Sequence, residues 1–315
     1  MAYYLGVDGG GSKTSCAVGD EASLLATVTA GPSNITRVGA DRAREALHRV
    51  IREACAAAQI DPRQVERACI GVAGVGREEI AETIRKFVAE IVPGGIIVVG
   101  DMQIALAAAF GADPGVVVIA GTGSIAYGRN AQGRAARAGG WGFAISDEGS
   151  AHWIGRATVS SLLRALDQET DPGKGPEGSA GTLPLLREMK AVWNLHSLDE
   201  FLRTANSKPD FAALFPAILH AAEAGDALAR RVLAQAGREL AELGVIVVRR
   251  LFGEGNTRPS NIPVALAGGV FRYSPLVRGA FRDEIYKLDS RVEVNEHVID
   301  PVNGALRMAR DRRQD

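Results

Sequence analysis

Apolar positions along the chain come in two textures. Some form short unbroken runs that end in glycine. Others recur every third or fourth place over longer stretches. The first texture predicts buried strands, the second helices with one buried stripe. A hydrophobic run enters Val7-Asp8-Gly9-Gly10-Gly11-Ser12-Lys13-Thr14-Ser15, and β-leaning runs follow at 15–20 and 24–28. No helical period follows the glycines, so the loop is predicted as the tip of an antiparallel hairpin. Over 40–60, Ala43, Ala46, Leu47, Val50, Ile51, Ala54, Cys55 and Ala58 keep helical spacing with Arg and Glu between them, which predicts an amphipathic helix covering a sheet. A third strand and loop follow at 67–76, then a helix over 77–90, a short buried strand Ile96 to Val99 ending at Asp101, and a helix closed by Gly111.

The pattern repeats. Val116 to Ala120 enters Gly121-Thr122-Gly123-Ser124, and alternating Ile125 and Tyr127 leave it. Two strand–glycine loop–strand units at long spacing predict two related domains. Helices are expected over 150–168 and 211–252, the latter with Leu228, Val232, Leu233, Leu240, Leu243, Val247 and Leu251 on one face. Residues 167–182 are rich in Pro, Gly and charge and predict an exposed loop. A buried strand ends at Gly268-Gly269, and a closing helix starts near Pro301. The fold class is therefore layered α/β. The division expected is an N-terminal α/β domain over 1–115 and a C-terminal α/β domain with helical insertions over 116–299. Whether the last helix, about 300–315, crosses back to the first domain is left open by the pattern.

Composition narrows the function. A chain of 315 residues suits one large or two medium domains. A formal net charge of -1 gives no reason to expect nucleic acid or an anionic membrane as partner. No charged segment followed by an apolar core marks a signal peptide, and the apolar runs are too short to span a bilayer. Cys16, Cys55 and Cys69 are odd in number and form no C-x-x-C, which predicts reduced thiols and a cytoplasmic location. The five histidines are scattered and none stands at a ligand spacing to Cys or His, so no structural zinc is expected.

Both glycine loops carry the chemistry of a phosphate cradle. Backbone N–H groups at such tips form an anion nest, and Ser12, Lys13, Thr14, Thr122 and Ser124 add donors. The P-loop pattern fails, because Ser12 rather than glycine precedes Lys13 and no helix follows. The plain alternative is a turn whose glycines only supply backbone freedom. Asp8 and Asp101 end buried strands beside glycine, the edge of an α/β sheet where binding groups gather. Either carboxylate could accept a proton or hold Mg²⁺ through water. For Asp101 the alternative is a helix N-cap. Gly139 to Trp153 combines Gly140, Trp141, Gly142 and Asp147. A flat indole there can stack on a sugar while Asp147 accepts hydroxyl hydrogen bonds. The alternatives are a core Trp141 and a capping Asp147 or Ser146. Asn34 is either a ligand amide or a turn residue.

These segments, VDGGGSKT, GPSN, VGD at 99–101, IAGTGS, GGWG with SDEGSA, and ALAGGVFR, occur in this order over most of the chain. In order and spacing they resemble the N-acetylglucosamine kinase family, of the BadF/BadG/BcrA/BcrD-type group in the actin–hexokinase–heat-shock chaperone superfamily. The resemblance implies two ribonuclease-H-like (actin-like ATPase) domains flanking a nucleotide and sugar cleft. It implies transfer of the γ-phosphoryl of ATP, with Mg²⁺, to the 6-hydroxyl of an amino sugar, N-acetylglucosamine first. Glucosamine, N-acetylmuramic acid or a plain hexose are the alternatives. Gly10, Gly11 and Ser12 look like the first phosphate loop, Gly121, Thr122, Gly123 and Ser124 like the second, and Gly268, Gly269 and Phe271 like the adenosine side. Asp101 matches the catalytic base. Asn34, Gly140, Trp141, Gly142 and Asp147 match sugar-binding positions, and Asp8 resembles the Mg²⁺-orienting carboxylate. A homodimer is implied. The same group contains ATPase activators that hold an iron–sulfur cluster through cysteines, but this chain has no cysteine after Cys69.

Overall fold

The computed structural model describes residues 2–74, 78–169, 183–207, 209–253 and 260–311. Its first sheet shows how period-two alternation builds two hydrophobic layers. The strands are β1 (Tyr3–Gly9), β2 (Thr14–Gly19), β3 (Leu24–Ala30), β4 (Val65–Val72) and β5 (Gly95–Gly100), in the order β3-β2-β1-β4-β5. β1 pairs antiparallel with β2 and parallel with β4, and β4 pairs parallel with β5. Leu5, Val7, Cys16, Val18, Ile70 and Val72 point to one layer. Tyr4, Ala17 and Cys69, one residue out of phase, point to the other.

The first layer is closed by helix α2 (Ala40–Ala57), which follows the short α1 (Ile35–Val38), and by α3 (Glu78–Ala89). α2 buries Ala43, Leu47, Val50, Ile51, Ala54 and Cys55, the stripe the spacing predicts, ending three residues earlier. Each fully buried Leu or Ile contributes about 1.5–3 kcal/mol. The second layer is closed by α4 (Asp101–Phe110) and α12 (Pro301–Arg310), through Ile104, Val302, Ala305, Leu306 and Ala309. α12 lies directly on β1. A Cβ on Gly6 would stand 2.3 Å from the Leu306 nitrogen, so no side chain fits there. Arg67 donates to the Asp311 carbonyl at 2.8 Å and ties the end of α12 to β4.

The second sheet holds β6 (Gly115–Ala120), β7 (Ser124–Arg129), β8 (Ala135–Gly139), β9 (Ile262–Ala267) and β10 (Val292–Ile299), in the order β10-β9-β6-β7-β8. Taken from the other edge this is β8-β7-β6-β9-β10, the first sheet's order repeated. The described helices here are α5 (Ala151–Glu169), α6 (Leu183–Val192), α7 (Leu198–Asn206), α8 (Phe215–Glu223), α9 (Ala227–Phe252), α10 (Gly269–Tyr273) and α11 (Pro275–Leu288). α9 and α11 pack closely, since a Cβ on Gly237 would meet the Val277 carbonyl at 2.6 Å. The stretch expected to be mostly helical over 211–252 is so, divided between α8 and α9. A 3₁₀ turn occupies Phe211–Leu214, and Asp226 starts α9 by accepting from the Ala229 amide at 2.8 Å. Of the loop expected at 167–182, residues 167–169 belong to α5, and 170–182 lie outside the described residues.

By contacts the chain forms two units. One comprises Met1–Val117, Tyr127–Ala136 and His297–Asp315, the other Val118–Ala126 and Arg137–Glu296.

Candidate active site

In the first unit the site grows from the end of β1. Gly10 donates its amide to the Lys13 carbonyl at 3.0 Å and closes the hairpin tip. Ser12 and Lys13 are exposed on it. Thr14 is buried instead. Its Oγ1 donates to the Gly31 carbonyl at 2.7 Å and lies 2.8 Å from the Ser33 hydroxyl. The Ser33 amide reaches back to the Gly10 carbonyl at 3.3 Å. The GPSN segment is thus pinned to the tip, with Thr14 and Ser33 as the pins. Asn34 caps α1, its Oδ1 accepting from the Thr36 amide at 3.0 Å and the Thr36 hydroxyl at 2.7 Å. The turn role weighed for Asn34 is therefore real for its oxygen.

Strand register places the acids. Gly9 pairs with Val72, and Val72 with Gly100. Asp8 precedes that row by one residue and Asp101 follows it by one. The outer strands of the row are two strand spacings, roughly 10 Å, apart. The N-cap of α4 is Gly100, whose amide donates to Gln103 Oε1 at 2.9 Å. Asp101 sits inside the first turn, so the capping alternative does not hold. Its Oδ1 accepts from the Met102 amide at 2.8 Å. Burial raises its proton affinity above the ordinary carboxylate range, and hydrogen bonds from the Met102 amide and its own amide oppose the rise. Asp8 is pushed up to about 7, chiefly by burial and then by the charges of Asp101 and Asp300, with Lys13 pulling the other way. Asp300, the residue before Pro301 at the start of α12, is a group that motif reading missed. Its only local signal is an Asp-Pro helix start, which looks like any cap.

In the second unit the β6–β7 tip is closed by the Gly121 amide on the Gly123 carbonyl at 2.9 Å. The start of α5 holds it from outside. The Ala151 amide donates to the Gly121 carbonyl at 2.9 Å, and the Ser124 hydroxyl to the Glu148 carbonyl at 2.7 Å. Asp147 is buried with φ +64°, an unusual conformation that Asp tolerates better than most residues. One carboxylate oxygen accepts from the Gly142 amide at 3.2 Å. The other lies where a Cβ on Gly123 would approach within 2.7 Å. Asp147 therefore links the glycine tip to the Gly139–Gly142 loop.

That loop exposes apolar surface. Trp141 is 66% exposed, Phe143 56% and Ile145 80%. The core alternative for Trp141 is excluded by this exposure. The Arg137 guanidinium lies 4.2 Å from the centre of its ring. Gly140 and Gly142 both have positive φ. β9 ends against the same tip, for a Cβ on Gly268 would meet the Ala120 carbonyl at 2.3 Å. Gly268 and Gly269 start α10. Phe271 is fully buried, its ring edge-on to Phe281 at 5.3 Å. The exposed ring beside Gly269 is Tyr273 instead. The motif placed an aromatic on that turn of α10, and helical rotation decides which one faces out.

Among the described residues no group of three or more His, Cys, Asp or Glu could hold a metal ion, and no single helix is long and apolar enough to cross a membrane.

The sequence profile of the BadF/BadG/BcrA/BcrD ATPase family matches residues 5–306. The chain belongs to that family. The chain is 32% identical over 312 residues to the N-acetylmuramic acid/N-acetylglucosamine kinase of Clostridium acetobutylicum, covering 98% of this chain and 99% of the relative. It is 30% identical to the N-acetyl-D-glucosamine kinase of Dictyostelium discoideum, covering 97% of each. Among solved structures, a Chromobacterium violaceum protein assigned as an N-acetylglucosamine kinase matches with TM-score 0.72 at 24% identity, over 99% of both chains. That likeness carries the fold, and it agrees with two five-stranded sheets of one strand order.

Proposed function

We propose that this ATPase-family chain is a sugar kinase that moves the γ-phosphoryl group of ATP to the 6-hydroxyl of an amino sugar, N-acetylglucosamine first. The observation that carries the reading is Asp101. It is a partly buried carboxylate at the first turn of a helix, beside a parallel strand end, with raised proton affinity. Such a group suits a general base for a sugar hydroxyl. End-to-end relatives with kinase names support the same chemistry. Glucosamine, N-acetylmuramic acid and plain hexoses remain the alternative acceptors.

The roles follow from each group's chemistry. Asp101 takes the proton of the 6-hydroxyl. The sugar oxygen forms a bond to the γ-phosphorus, the bond from that phosphorus to the bridging oxygen breaks, and ADP leaves. Backbone amides of Gly11 and Ser12, with Lys13, and those of Thr122, Gly123 and Ser124 hold phosphate oxygens, while the Gly10 and Gly121 amides stay in the turn bonds that shape the two tips. Trp141 offers its flat face to the sugar, with Gly140, Asp147 and the side-chain amide of Asn34 as polar partners, and Gly142 shapes the loop through its bonds to Asp147, Ile145 and Ser146. Asp8 stands among like charges and, among the described residues, lacks companions for a three-ligand metal cage. It fits a Mg²⁺ ion that arrives with ATP and is held through water. When bound, that ion neutralises charge on the transferring phosphoryl group.

The test is a coupled assay of ADP release with Mg-ATP and N-acetylglucosamine, glucosamine, glucose, N-acetylmuramic acid or no sugar. Release is expected to depend on sugar and to be strongest with an N-acetylated one. Release that ignores every sugar would overturn the reading.

A further inference from the structure

The loop that presents Trp141 also carries a positive charge that the proposed reaction does not use. Arg137 lies on β8, half-buried, with its guanidinium stacked 4.2 Å from the centre of the Trp141 ring. One terminal nitrogen, Nη1, donates to the Gly139 carbonyl at 3.1 Å. Among the described residues the group makes no ion pair, and its Nε and Nη2 edge, the fork that grips a carboxylate with two parallel bonds, is unspent. Arg250 donates to the Arg137 carbonyl and brings a second cation to the same strand end. The acids of the neighbouring loop are engaged elsewhere. Asp147 accepts from the Gly142 amide, and Glu148 accepts from the Ser146 hydroxyl at 3.0 Å.

A guanidinium on an indole face keeps its donors pointing outward past the ring edge. Trp141 is itself 66% exposed, so the open side of the ring remains available to a ligand. An anion seated on that indole would therefore find the fork beside it. Among the acceptor sugars above, N-acetylmuramic acid alone carries a carboxylate, on an ether arm at C3, away from the 6-hydroxyl that would react.

We propose that Arg137 is a specificity residue that pairs with the carboxylate of an acidic amino sugar, so that the chain accepts N-acetylmuramic acid alongside N-acetylglucosamine. This rests on the sugar-kinase reading. The phosphoryl transfer itself is unchanged; Arg137 acts on binding of the ether arm.

The experiment measures kcat/KM of the full chain and of Arg137→Gln and Arg137→Lys with three sugars: N-acetylmuramic acid, its methyl ester and N-acetylglucosamine. Arg137→Gln should lower kcat/KM for N-acetylmuramic acid by about 10- to 100-fold, the scale of a charge-assisted pair. For N-acetylglucosamine the loss should be about two- to fivefold, from weaker support of Trp141. That smaller loss also reports that the variant is folded. The methyl ester should lose a similar large factor in the unsubstituted chain and little more in Arg137→Gln. Arg137→Lys should fall between. Equal losses for all three sugars would reduce Arg137 to a support for the indole and overturn the inference. So would a chain that phosphorylates N-acetylglucosamine but not N-acetylmuramic acid, with the sugar-kinase reading left standing. Failure with every sugar would overturn that reading itself.

Discussion

The β1–β2 tip and the β6–β7 tip start from one plan, a buried strand running into a glycine turn and out along a neighbour, but their surroundings differ. The first is braced from below by hydroxyls, Thr14 against Ser33 and Gly31, and stands among Asp8, Asp101 and Asp300. The second is braced by one buried carboxylate, Asp147, and by backbone groups at the start of α5, and stands beside the exposed Trp141, Phe143 and Ile145. On the proposed reading, repetition of the tip supplies two anion nests. The difference around them is what the proposed function uses, with proton and cation chemistry in the first unit and recognition of a ring in the second.

The strongest way to break that division is at Asp101. Asp101→Asn keeps shape and the Met102 hydrogen bond but cannot take a proton. It should lower kcat by roughly 10²-fold or more while leaving ATP and sugar affinities nearly as they were. Steady-state kinetics with calorimetric binding read both. Unchanged kcat would remove Asp101 as the base. Next in size is Trp141→Ala, which should raise the KM for sugar by about tenfold through loss of ring contact and leave the KM for ATP within about twofold. Equal effects on both substrates would erase the contrast between the two tips.

Asp8 sharpens the comparison through stability. Its carboxyl rises from an ordinary 3.8 to about 7, with burial the leading cause. Between those values the folded chain holds a proton that the unfolded chain has lost, so this group's contribution to stability declines as pH rises through that window and levels off above it. Asp8→Asn should flatten the decline between pH 5 and 7, the part clear of general acid unfolding, on the order of a few degrees in Tm. Melting curves across that range decide it, and a variant that tracks the parent at every pH would deny the buried charge. The smallest effect belongs to the pins. Thr14→Val should cost about 1 kcal/mol in denaturant unfolding and lower affinity for ATP only through the shape of the tip. A loss of ATP binding larger than the loss of stability would instead make the Thr14 hydroxyl a direct ligand.

Much of this was legible in the chain. Both hairpins announce themselves because glycines sit between apolar runs and no helical spacing follows. α2 shows its buried stripe at Leu47, Ile51 and Cys55. What stayed hidden has physical reasons. β8, Ala135–Gly139, is small-residue sequence in which the pairing, not the side chains, makes the strand. α11 buries only Val277, Phe281 and Ile285, a stripe one residue wide among charges. Asp300 meets the field of Asp8 from nearly the far end of the chain, and no local pattern reports so distant a neighbour. Arg137 and Trp141 are four residues apart on a strand end and loop, and their stacking depends on the left-handed turn at Gly139 and Gly140.

The most direct measurement is the product itself. The chain would be incubated with Mg-ATP and N-acetylglucosamine labelled with ¹³C at C6, and the product followed by ¹³C and ³¹P NMR. The account predicts a labelled carbon coupled to phosphorus, with one ADP formed per sugar phosphate. ADP and inorganic phosphate with an unmodified sugar, or phosphorus coupled to another carbon, would contradict it.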